Sequence, residues 1–199
     1  MFQAHEIVTP QQIVYEDNHL IIINKRSSEI VQGDKTGDMP LSEKVKNYIK
    51  QRDNKPGNVF CGVCHRLDRP VSGIVIFAKT SKALSRMNEL FRDKTITKTY
   101  WAVVKNRPPQ VKQRLTHYLI KNEQTNKSKA FETEKNGSLK AELEYELIAS
   151  ISNYHLLQIN LFTGRHHQIR AQLSAIGCPI KGDLKYGFDR SNPNGSIHL

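Results

Sequence analysis

LKAELEYELIASI, residues 139–151, alternates in side-chain character. Leu139, Ala141, Leu143, Tyr145, Leu147, Ala149 and Ile151 fall on one side of an extended chain, and Lys140, Glu142, Glu144 and Glu146 on the other. Successive side chains of a strand point to opposite faces, so the pattern predicts a long strand with one face buried. Leu157, Ile159 and Leu161 predict a second strand beside it. TYWAVV at 99–104 is β-branched and aromatic, which favours a third. IVYEDNHLIIINK, 13–25, reads as two short strands around a polar turn at Glu16, Asp17 and Asn18, and the apolar run IVIFA, 74–78, as another.

Helical spacing is rarer. LSEKVKNYIKQR, 41–52, puts Leu41, Val45, Tyr48 and Ile49 on one face. Thr80 or Ser81 can cap a helix carrying Leu84, Met87, Leu90 and Phe91. His166, Ile169, Leu173 and Ile176 predict a helix within 163–177, stopped by Gly177 and Pro179. Residues 26–40 read as a loop, and 121–138 as a hairpin or a mobile loop. Long strands with few helices imply an α+β fold, with a mainly antiparallel or mixed central sheet flanked by helices and loops. No repeat and no linker divides the chain, so residues 1–199 are expected to form one domain.

With 38% apolar and 25% charged residues, the 199-residue chain has the composition of a soluble globular protein that can bury a core without staples. No apolar run is long enough for a membrane span. Three cysteines and the lack of a signal-peptide pattern lead to the expectation of reduced thiols in the cytoplasm. Thirty Lys and Arg against nineteen Asp and Glu give a net charge of +11, spread along the chain. Such a field attracts polyanions, nucleic acid above all, although a solvated basic surface would look the same.

CGVCHRLDRPVSG, 61–73, carries two competing patterns. Cys61, Cys64 and His65 match CxxCH, a haem-attachment spacing. A zinc site would need a second ligand pair and Cys178 stands alone, while redox CxxC motifs sit near βαβ units, which the pattern lacks. Two small residues packed beside a strand is the simpler fate of Cys61 and Cys64. The other pattern is Asp68 among His65, Arg66 and Arg69. Nearby cations keep a carboxylate ionised, and an oriented carboxylate can act as nucleophile or base. An ordinary surface ion pair would read alike.

In TGRHHQIR, 163–170, a strand gives way through Gly164 to a helix start rich in cationic and polar side chains. Arg165, Gln168 and Gln172 would share a helical face, and Arg165 could meet a phosphate or a buried Asp. A solvated polar face is the alternative. In KTYWAVV, 98–104, Tyr100 and Trp101 point to opposite faces. Core positions for both are the default, with one facing a cleft as the other reading.

Taken in order, IVYEDNHLIIINK, HRLDRPVSGIVIFAKT, KTYWAVV and TGRHHQIRAQLSAIGCPIKGDLKYG resemble the motifs of the RluA-type pseudouridine synthases. The resemblance covers most of the chain, and HRLD with GRxHQIR is specific in combination. It assigns His65 to HRLD and makes the CxxCH match a coincidence. It implies an enzyme that isomerises selected uridines in structured RNA, ribosomal or transfer, with Asp68 essential. Arg165 would pair with Asp68, and Tyr100 would pack on the uracil. His65, Arg66, Arg69, Lys98, His167, Gln168 and Arg170 would hold RNA. No cofactor and no metal are implied, and a monomer is expected. A non-catalytic RNA-binding protein, which would not need Asp68 and Arg165 together, is the rival. The family's Asn-Lys-Pro is here Asn24-Lys25-Arg26. No N-terminal RNA-binding module is expected, and the family's last strand is expected to continue beyond Ser196-Ile197-His198-Leu199.

Overall fold

Asp17 sets the first turn. Its Oδ1 accepts the backbone N–H groups of His19 and Leu20 at 2.7 Å each, which folds β1 (Ile13–Glu16) back on β2 (Leu20–Lys25). The computed structural model describes residues 3–199. The chain falls into two compact units that meet in sequence at Thr95 and Ile96. No shift in composition marks that division.

In the first unit, α1 (Leu41–Arg52), β3 (Gly62–Val63), β4 (Gly73–Ala78) and α2 (Ser81–Arg92) follow the hairpin. The sheet runs β1-β2-β4-β3, all antiparallel. Ile21 and Ile23 of β2, Val75 and Phe77 of β4, and Leu41, Val45 and Ile49 of α1 form one core. The helix expected at 41–52 is observed with those bounds. Thr80 caps α2, its side chain accepting from the Ala83 N–H.

The second unit contains β5 (Thr99–Val104), β6 (Lys112–Asn122), β7 (Lys127–Phe131), β8 (Leu139–Ile151), β9 (Tyr154–Leu161) and α3 (Gln168–Ala175). Its order is β5-β9-β8-β6-β7, again wholly antiparallel. The α+β class therefore holds, with the strands divided between two sheets. Residues 121–138 include the β6–β7 turn, so the hairpin reading applies. β6 itself was not foreseen.

Local differences have local causes. The alternation in β8 buries Ala141, Leu143 and Tyr145, but Leu139 and Ile151 are 54% and 68% exposed. A register shift between Leu147 and Ala149 breaks the period. Trp101 is 62% exposed on the face opposite half-buried Tyr100, so the default of two core aromatics is wrong. The third helix starts at Gln168, because His167 sits in the left-handed region at φ 51°. Arg165 thus precedes the helix and shares no helical face with Gln168 and Gln172. Both glutamines are buried against the sheet, where Gln168 Nε2 donates to Glu142 O and Gln172 Nε2 to Ala141 O. The outer edge of β5 is met by Lys181 N–H on Val103 O and by Val103 N–H on His198 O.

Replacing Thr80 with Ala removes the α2 cap and is expected to cost about 1 kcal/mol in denaturant unfolding, whereas Thr80→Ser should be near neutral.

Candidate active site

Lys25, noted in the sequence only as part of Asn24-Lys25-Arg26, was given no role there. The period of two that buries Ile21 and Ile23 turns Lys25 to the same side, and it is 0% exposed. Its Nζ donates to Arg26 O at 2.9 Å, Glu29 O at 2.8 Å and Arg69 O at 3.2 Å. Three donors of an ammonium thus meet three carbonyls from two loops. Burial pushes the lysine down to about 8, while the fields of Glu29 and Asp68 oppose the fall. Its inward direction, two positions after Ile23, was the available signal.

Around Asp68 the chain is tightly tied. Ser28 N–H also donates to Arg69 O, and Val71 N–H to Asp68 O. His65 Nε2 accepts the Ile76 N–H at 3.2 Å, which fastens HRLD to β4, and its ring lies 5.1 Å from that of Phe91. Arg69 does not simply flank Asp68: its guanidinium donates to Asp38 and to the Thr36 hydroxyl, each at 2.7 Å, and binds the 34–38 loop. Asp68 is half-buried and Arg66 is exposed.

The cysteines take the packing role. Cys61 lies against the core, and burial pushes its thiol up to about 12 and that of Cys64 to about 11. Thiols so hard to ionise are poor metal ligands and poor nucleophiles. Among the described residues no three His, Cys, Asp or Glu side chains gather as a metal site.

The remaining candidates belong to the second unit. Tyr100 lies in register with Ile159, and Leu161 N–H donates to Lys98 O. Lys98 Nζ would stand 3.8 Å from a Cβ on Gly164, so Lys98 and the Arg165 loop are brought together. Arg165 is exposed, its Nε donating to Lys140 O at 3.0 Å. Gln168 Oε1 accepts from Thr163 Oγ1 at 2.8 Å and from Arg165 N–H at 3.0 Å. Arg170 forks onto Asp183, Nε to Oδ2 at 2.7 Å and the second nitrogen to Oδ1 at 2.9 Å, with both side chains buried. Gln168 and Arg170, expected to hold RNA, are turned inward: Gln168 braces the Arg165 loop and Arg170 ties α3 to Asp183. A buried guanidinium must be paired, and Asp183 does so. His167 is half-buried, with Nδ1 3.0 Å from the Tyr186 hydroxyl.

The sequence profile of the family described as RNA pseudouridylate synthase matches residues 19–175. The chain belongs to this family. Both HRLD and GRHHQIR lie within the match. The ribosomal large subunit pseudouridine synthase C of Rickettsia bellii is 31% identical over 187 residues, 94% of this chain and 60% of that protein. The enzyme of the same name from Buchnera aphidicola is 36% identical over 176 residues, 88% of this chain and 54% of that protein. The chain thus spans 60% or less of the length of these two relatives. Human RNA Pseudouridylate Synthase Domain Containing 4 has a similar fold, with a TM-score of 0.76 at 24% identity over 90% of this chain and 70% of that one.

Lys25 generates a pH-dependent prediction. Its folded value near 8 lies below the ordinary 10.5, so between these pH values the unfolded chain holds a proton that the folded chain has shed. Stability from this group therefore rises with pH across that window. Lys25→Met should lose that rise and, with buried carbonyls left unmet, unfold at least about 2 kcal/mol more easily at neutral pH. Denaturant unfolding of both proteins between pH 7 and 10.5 checks each part.

Proposed function

We propose that this chain is the catalytic part of an RNA pseudouridine synthase that isomerises uridines in structured ribosomal RNA. The observation that carries the reading is the family match over residues 19–175, which includes Asp68 in HRLD and Arg165 in GRHHQIR. The ribosomal substrate is supported by the names of the relatives, and the net charge of +11 suits an RNA ligand.

The chemistry is an isomerisation. The bond from ribose C1′ to uracil N1 breaks, the ring turns, and C1′ joins C5. The C5 proton leaves and N1 gains one, so atoms balance without oxidant, reductant or cofactor. The target base must first leave its stack, which costs a few kcal/mol and favours loops and bulges. Asp68 is the essential carboxylate in this reading. Arg165 is the cationic group the reaction needs, Tyr100 packs on the uracil, and Arg66 and Lys98 meet the nucleotide. Gln168 acts from behind by holding the loop of Arg165, and Arg170 by fixing the start of α3 to Asp183. The enzyme works as a cytoplasmic monomer.

Tritium release from RNA labelled at uracil C5 tests this directly. Wild type should release label from ribosomal RNA. Asp68→Asn should release at least about a thousandfold more slowly while still binding RNA. Release from transfer RNA alone would overturn the substrate class. RNA binding without release from either RNA would identify a binding protein.

A further inference from the structure

Tyr186 lies outside the matched span and outside the chemistry just described, yet several contacts end on it. Its ring is 3% exposed, packed with Leu119, Ala141 and Ala171. The Arg170 guanidinium, held by Asp183, stands 4.9 Å over the ring. The Tyr186 hydroxyl accepts the buried Ser128 N–H at 2.8 Å and reaches His167 Nδ1 at 3.0 Å. Ser128 Oγ donates to His166 O at 2.8 Å and lies 2.9 Å from His166 Nδ1. The two imidazoles stack with centroids 3.8 Å apart.

The Tyr186 oxygen has two lone pairs and one hydrogen, so it can hold the Ser128 N–H and His167 Nδ1 at once. The backbone at His167 is left-handed, at φ 51° and ψ 28°. That conformation costs a non-glycine residue about 1 kcal/mol or more and persists only where surroundings enforce it. Arg165 lies two residues before it, tied through Nε to Lys140 O.

We propose that Tyr186 is a positioning residue for Arg165: its hydroxyl clamps Ser128 and His167, and through them the left-handed turn from which the 163–167 loop presents the guanidinium. The proposal rests on the functional reading of Arg165 given above. The ring and the hydroxyl have separable duties. The ring fills the core and carries the cation, whereas the hydroxyl reaches Ser128 and His167.

Tyr186→Phe removes the clamp and keeps the ring. It should lower kcat for tritium release about tenfold or more, while RNA affinity stays within about twofold and the melting temperature within a few degrees. Two NMR signals read the clamp without turnover. In wild type, His167 Nδ1 should show the shift of a hydrogen-bonded nitrogen and the Arg165 Nε–H should exchange slowly; in Tyr186→Phe both should change. Asn adopts the left-handed region more readily than His, so His167→Asn in the Tyr186→Phe background should recover most of the lost kcat. If Tyr186→Phe fails to fold, His167→Leu, which leaves Tyr186 in place, should show the same loss of kcat. An unchanged kcat, unchanged NMR signals, or no rescue by Asn would each overturn the positioning role. If wild type turns over no RNA, the functional reading falls, and the two NMR signals alone decide whether Tyr186 holds Arg165.

Discussion

A cation removed from water must find its partners in the protein, and in both units the loops are shaped by that demand. Lys25 emerges from β2 into the core, so carbonyls of Arg26, Glu29 and Arg69 converge on its Nζ. Arg69 directly follows Asp68. The lysine therefore joins the 26–29 segment to the turn that carries the candidate carboxylate. In the second unit Arg170 does the same work. It is buried at 5% exposure, forks onto Asp183 at 1%, and anchors the start of α3 just after the Arg165 loop.

Such anchoring suits the proposed chemistry. An isomerisation that neither adds nor removes atoms needs placed groups more than it needs a reagent. The exposed charges contribute little to this placement. Lys105 with Asp189, Lys112 with Glu146 and Arg92 with Asp93 pair in solvent, where ion pairs add little stability. Their share in the net charge bears on attraction of RNA instead. The bonds that place Asp68 and Arg165 are mostly backbone carbonyls and amides taken up by side chains: Lys25 on Arg69, His65 on Ile76, Gln168 on Arg165 and Glu142.

Elements governed by near neighbours were legible in the chain. Helix α1 and strand β5 have the bounds that period and composition predict, and Thr80 caps α2 as a threonine before a helix should. Strand β6 was not legible. It buries His117 between Leu115 and Leu119 and leaves Tyr118 and Ile120 less buried on the other side, which blurs the alternation. The division into two sheets was not legible either, because pairing between distant strands leaves no mark on composition.

By itself the sequence determined the α+β class, the family through HRLD and GRHHQIR, and the identity of the candidate groups Asp68, Tyr100 and Arg165. Those features depend on residue type and short spacing. Only the tertiary structure decided which polar residues face inward. Gln168 and Gln172 look, with Arg165, like a wetted helix face until β6 and β8 are placed against them. Lys25 has a motif position but no role in the sequence until the register of β2 turns it into the core. Burial is set by contacts between segments far apart in the chain, and no local pattern contains it.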